Sequence, residues 1–123
     1  MNSMGNLRRT HMCGELRLSD VNKEVILMGW VQKERNLGSL IFIDLRDNTG
    51  ITQIAIKDDN KEIFDKAKDV KSEYVLCVKG DVRERESKNN NIPTGEIEVI
   101  ANELIVLDTA NVSPIYIKDD DNA

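Results

Sequence analysis

The sequence predicts an all-β chain with one short helix, folded as a five-stranded Greek-key barrel, and three observations support this. Five segments rich in β-forming residues are separated by short turns. A single amphipathic stretch interrupts them after the third. No internal repeat and no long crossover separates the segments. A small β-sandwich is the main rival.

The elements follow in order. From Glu24 the run EVILMGWVQKE forms strand one, NLGSL supplies a Gly-containing turn, and LIFIDLR forms strand two. In LIFIDLR, Ile41, Ile43 and Leu45 alternate with Leu40, Phe42, Asp44 and Arg46, a two-residue period that turns the aliphatic set inward and Phe42 outward. The turn DNTG, Asp47 to Gly50, places Asn and Gly where a positive φ is useful, and ITQIAI returns as strand three. Pairing Arg46 with Ile51 sets Asp44 opposite Gln53, Ile43 opposite Ile54 and Ile41 opposite Ile56. Gln53 then lies diagonal to Phe42 on one exposed outer platform, about 7–8 Å away.

DDNKEIFDKAKDVKSEY reads as a helix, with Asp59 and Glu62 in capping-box positions and Ile63, Ala67 and Val70 on one face. YVLCVKGDVRER is strand four; its Gly80 marks a bend or bulge, and Arg83 and Arg85 share one side. After the polar loop ESKNNNIPTG, GEIEVIANELIVL closes the sheet with Ile97 and Val99 inward and Glu96 and Glu98 outward. This order of strands and helix matches the barrel of the OB type. Residues 1–9 are expected to be a flexible arm, 10–108 the barrel, and 109–123 a polar, Asp-rich tail.

Composition narrows the functional classes. The 123 residues suffice for one domain with a real core, and 40% hydrophobic with 32% charged residues is the balance of an ordinary globular protein. No apolar run approaches the ~20 residues of a membrane span. The amino terminus has basic residues but no apolar stretch behind them, so a secretory signal is not expected and the cytoplasm is the expected compartment. Cys13 and Cys77 lie outside any metal-binding spacing and read as buried small hydrophobes. A net charge of −5 argues against coating nucleic acid by bulk attraction, so any such contact needs a local patch.

OB barrels bind oligonucleotides on the face of strands two and three, flanked by the loops joining strands one to two and four to five. Phe42 and Gln53 fall on that face. Lys33 and Arg35 approach from the first loop, and Arg83, Arg85, Lys88 and Asn89 line the other. An aromatic ring there can stack a base for about 1–3 kcal/mol whatever its identity. Gln53 offers a donor and an acceptor on one planar amide, suited to the Watson–Crick edge of uracil, arginines can fork onto a guanine edge or a phosphate, and Glu98 can accept from the amino group of cytosine. Taken singly, Phe42 could be covered by a neighbouring loop, Arg83, Arg85 and Lys88 could form a solvated face paired with Glu84 and Glu86, and Gln53 and Glu98 could be ordinary surface groups. Their convergence on one face favours binding. Catalysis has less support: the sole histidine, His11, sits near the arm without a nucleophile, Asp44 is expected to pair with Arg46 or a turn amide, and no glycine-rich phosphate loop is present. No catalytic residue, metal site or cofactor is expected in this chain.

The blocks RTHMCGELRLSDVNKEVILMGWV, LGSLIFIDLRDNTGITQ and IPTGEIEVIANELIVL closely resemble the amino-terminal anticodon-binding domain of bacterial aspartyl-tRNA synthetases, from about Arg9 to Leu107. The resemblance implies an OB fold docking on the anticodon stem-loop of tRNA(Asp), whose anticodon reads G, U, C. It implies that Phe42 stacks on the middle uracil and Gln53 bonds its edge, that Arg35 contributes near the first base, that Arg83, Arg85 and Asn89 contact the loop, and that Glu98 reads the third letter. Lys33 and Lys88 are candidates for further backbone contacts. Many relatives have a basic triplet before LGSL where this chain has Lys33-Glu34-Arg35. It also implies a homodimeric parent enzyme with a class II catalytic domain that uses ATP and magnesium. That domain's motifs do not occur after Asp108, so the chain is expected to be an excised, monomeric domain, with residues 109–123 as the start of the linker to the absent catalytic domain. A general single-strand-binding OB protein, the equivalent domain of an asparaginyl- or lysyl-tRNA synthetase, and a protein-interaction module anchored by Phe42 are the alternatives.

Overall fold

A computed structural model describes residues 8–109 of the chain. Five strands, β1 (Glu24–Asn36), β2 (Leu40–Asp47), β3 (Gly50–Lys57), β4 (Val75–Glu84) and β5 (Ile97–Asp108), close into a barrel in the order β1-β2-β3-β5-β4. All neighbouring pairs are antiparallel except β3 with β5. The expected five-stranded barrel with its helix between the third and fourth strands is thus the observed one.

Alternation builds the interior. Val25, Leu27 and Val31 of β1, Ile41, Ile43 and Leu45 of β2, Ile54 and Ile56 of β3, Leu76, Val78 and Val82 of β4, and Ile97, Val99 and Leu104 of β5 are all buried. Each such side chain contributes about 1.5–3 kcal/mol by leaving water. The β2–β3 hairpin has the register that the pattern predicts: Arg46 faces Ile51, Asp44 faces Gln53, Ile43 faces Ile54 and Ile41 faces Ile56. The register of β4 on β5 shifts between Lys79 and Gly80, as the glycine suggested. A Cβ on Gly80 would stand 2.2 Å from the Ile100 carbonyl oxygen, so only glycine allows this approach.

The helix α1 (Lys61–Lys68) is shorter than the predicted stretch, and its start differs. Asn60, not Asp59, is the N-cap, and it makes no side-chain capping bond; the Phe64 amide donating to the Asn60 carbonyl at 2.9 Å fixes the first turn. With Asp59 and Asn60 adjacent, composition alone does not separate the two starts. Ile63, Phe64, Ala67 and, just past the helix, Val70 join the core. The DNTG turn meets its expectation at Gly50, whose φ is +152°, but not at Asn48. Asn22 and Glu73 are the described non-glycine residues with positive φ, so Asn48 does not adopt one. The Asp47 carboxylate instead holds this turn by accepting from the Thr49 amide and hydroxyl at 2.8 and 2.6 Å.

Ahead of the barrel, the Thr10 amide donates to the Ile26 carbonyl at 2.9 Å, and the Ile26 amide donates to the Thr10 hydroxyl at 2.8 Å. The Arg9 guanidinium reaches the Met28 carbonyl at 3.5 Å, which ties the last residue of the expected arm to β1. The rest of that arm up to Leu7, and the tail from Ala110, lie outside the described residues. Cys13 and Cys77 are free and buried, and burial pushes both thiols up. Among the described residues no helix is long and apolar enough to cross a membrane, and no cluster of His, Cys, Asp or Glu is arranged to hold a metal.

Candidate nucleic-acid interface

A β-bulge on β1 decides which side chains reach the outer face of β2 and β3. Val31 faces Leu45, yet Lys33 faces Asp44, which leaves Gln32 as the extra residue. Without it, the inward set Val25, Leu27, Val31 would continue through Lys33 and Arg35 and drive two cations into the barrel. The extra residue reverses the parity. Lys33 and Arg35 therefore stand outside beside Asp44 and Phe42, and Glu34 is turned to the opposite face, across from Ile43. The acidic member of Lys33-Glu34-Arg35 thus points away from the face its two basic neighbours line. Both cations belong to strand β1 rather than to the loop where the sequence reading placed them.

The outer face carries an open groove of about 1040 Å³. Its apolar floor includes Leu40, Ala55 and Ile100, and Ala55, opposite Phe42, is only 1% exposed. Phe42 is half-buried, with the Arg35 guanidinium carbon 5.0 Å from the ring centroid. Arg35 Nη2 donates to Gln53 Oε1 at 3.1 Å, and Gln53 Nε2 donates to Glu98 Oε1 at 2.9 Å. Four predicted residues from four strands therefore form one contact chain, Phe42–Arg35–Gln53–Glu98.

Two details differ from the expected platform. Gln53 is not an open surface amide but 7% exposed, held from both sides by Arg35 and Glu98. Asp44 does not pair with Arg46; its carboxylate stands 4.0 Å from Arg35, while Arg46 donates to Gln32 at 2.6 Å. The reason is the same bulge, which brings Arg35 onto the Asp44 face and sets Gln32 against Arg46.

The arginines at the end of β4 part company. Arg85 is 8% exposed, and its Nε donates to the Ile97 carbonyl at 2.9 Å. Burial pulls its guanidinium below the usual range, opposed by the Glu98 and Asp44 carboxylates. Arg83 is exposed and lies 3.9 Å from Asp81. Asn89 lines the groove, while its side-chain oxygen accepts from the Asn91 amide at 2.9 Å. Lys88 turns to Glu84 at 2.6 Å, the paired arrangement weighed against a binding role.

Lys57, Asp44 and Ile92 also line the groove and were not picked out as binding residues from the sequence. Lys57 could have been found by carrying the ITQIAI alternation two residues beyond Ala55. Five cationic and five acidic side chains line the groove together, so its lining is electrically balanced. Such a surface suits stacking and directional hydrogen bonds more than the collection of phosphates.

The family model for the OB-fold nucleic acid binding domain, tRNA anti-codon, matches residues 25–107. An aspartate–tRNA ligase of Bacteroides thetaiotaomicron is 54% identical over 112 residues, covering 90% of this chain and 19% of the relative. An aspartate–tRNA(Asp/Asn) ligase of Caldanaerobacter subterraneus is 51% identical over 122 residues, covering 97% and 21%. Among solved structures, an asparaginyl-tRNA synthetase of Pyrococcus horikoshii superposes with a TM-score of 0.72 at 30% identity, covering 89% of this chain and 24% of that one. The chain spans about a fifth of the length of the curated relatives it matches. With a closed five-stranded barrel and a family match across all five strands, the chain belongs to the OB-fold nucleic-acid-binding family of tRNA anticodon domains.

Proposed function

We propose that this chain is the anticodon-binding domain of an aspartate–tRNA ligase and takes up the anticodon loop of tRNA(Asp). The observation that carries this reading is the Phe42–Arg35–Gln53–Glu98 chain on the outer face of β2 and β3. Relatives near half identity named aspartate–tRNA ligase support it. In this reading Phe42 stacks the middle uracil and Gln53 bonds its edge. Arg35 serves the first base, and the Glu98 carboxylate accepts from the amino group of the third, cytosine. Arg83, Arg85 and Asn89 hold the loop, with Lys33 at the rim. Lys88 contributes little because Glu84 already engages it.

The parent enzyme attaches aspartate to tRNA with ATP and magnesium in a class II catalytic domain, as a cytoplasmic homodimer. This chain supplies none of that chemistry; its task is selection of the tRNA. Competition binding tests the reading: a hairpin with the loop letters G, U, C should displace a labelled copy of itself at least tenfold better than a scrambled single strand of equal length. Equal displacement would point to a general single-strand binder.

A further inference from the structure

We infer that Arg35, Gln53 and Glu98 act as one hydrogen-bonded relay, so that bases taken up along the groove are read together rather than independently. The inference rests on the anticodon-binding reading and adds a mechanism to it.

The orientation of the Gln53 amide is fixed by its two partners. Its oxygen accepts from Arg35 at 3.1 Å and its nitrogen donates to Glu98 at 2.9 Å. Reversing it would set an NH2 group against a guanidinium and a carbonyl against a carboxylate. One oxygen lone pair and one N–H remain for a ligand. Gln53 is 7% exposed, so a lost partner is not readily replaced by water.

Arg35 also occupies a stacking face of Phe42, 5.0 Å from the centroid. A base inserted between ring and guanidinium needs two van der Waals layers, about 7–8 Å. A base taking that face therefore lifts Arg35 off the ring, which strains the bond to Gln53 and leaves the amide oxygen open to a base N–H. The lifted guanidinium stays near Asp44, now 4.0 Å away, and can engage the neighbouring nucleotide. At the other end, any shift of Gln53 Nε2 moves the donor that orients the Glu98 carboxylate. Occupancy at one point of the groove thus changes what the other points present.

Binding of four hairpins to the whole chain tests this: the cognate loop, one with the middle uracil made abasic, one with the third-letter cytosine replaced by uracil, and one with both changes. The relay predicts that the double change departs from the product of the single changes by about fivefold or more. It also predicts that this departure falls within about twofold in Gln53→Leu and in Arg35→Met. The second variant cuts the same relay at an exposed residue, so it remains informative if Gln53→Leu fails to fold. Multiplicative effects within about twofold in the unmodified chain, with the cognate hairpin still preferred, would overturn the relay and leave the proposed function standing. A departure that persists unchanged in both variants would assign it to the RNA and also overturn the relay. No preference for the cognate hairpin would remove the proposed function, and the relay with it.

Discussion

The β2–β3 hairpin holds one buried polar group at its turn and another at mid-ladder, and the two are satisfied in opposite ways. At the turn, the Asp47 carboxylate is 6% exposed and accepts from the Cys13 amide at 2.8 Å and from the amide and hydroxyl of Thr49. The Thr49 hydroxyl in turn accepts from the Gly14 amide at 2.8 Å, and the Thr52 hydroxyl donates to the Cys13 carbonyl. Toward the groove, Gln53 is equally buried but is satisfied by the side chains of Arg35 and Glu98 alone. Backbone partners cannot leave without unfolding the segment that carries them, whereas side-chain partners can be exchanged for groups on a ligand. The first arrangement stabilises the fold; the second is open to exchange with a base.

Breaking the turn should have the largest effect. Asp47→Ala leaves two amides and a hydroxyl without their acceptor and should cost about 3 kcal/mol in urea unfolding. Protein that remains folded should bind the hairpin normally. Phe42→Ala should do the reverse, costing about 1–3 kcal/mol of RNA affinity by titration, with a smaller loss of stability than Asp47→Ala. Gln53→Ala should weaken the cognate hairpin by about 1 kcal/mol more than a hairpin whose middle uracil is replaced, because only the cognate loses a specific contact. Equal losses would remove Gln53 from base reading.

The pH dependence separates the two groups further. Burial by itself raises the Asp47 carboxyl, but the hydrogen bonds from Cys13 and Thr49 outweigh it and hold the group below the usual range. Its contribution is therefore fully present above the unfolded-state value of about 4 and is lost as pH falls through the lower folded value. Thermal unfolding followed from pH 7 to pH 2 should show a steeper acid loss in the unmodified chain than in Asp47→Asn. The smallest effect belongs to Lys88→Ala. Its exposed ion pair with Glu84 should contribute less than about 0.5 kcal/mol to stability, and its removal should leave hairpin affinity within about twofold.

The sequence made one end of this comparison easier to foresee than the other. The hairpin register was legible because Ile41, Ile43 and Leu45 alternate strictly and a two-residue turn leaves one way to pair them with Ile54 and Ile56. That pairing placed Phe42 beside Gln53. The bulge at Gln32 was not legible, since Gln32, Lys33, Glu34 and Arg35 are all polar and carry no alternation that an extra residue could interrupt. Nor was the burial of Gln53, which depends on β1 and β5 arriving from distant parts of the chain. The Asp47 clamp escaped notice for a related reason. Its partner segment at Cys13 and Gly14 is 34 residues away from Asp47 and has no strand pattern to tie it to the turn.

One titration tests the contrast most directly. With the chain labelled with 15N, increasing amounts of the G, U, C hairpin should shift the side-chain NH2 resonances of Gln53 and the Nε–H resonance of Arg35. The backbone amides of Cys13, Gly14 and Thr49 should stay in place. Shifts concentrated at the turn, or an unmoved Gln53 amide at saturating hairpin, would contradict the account.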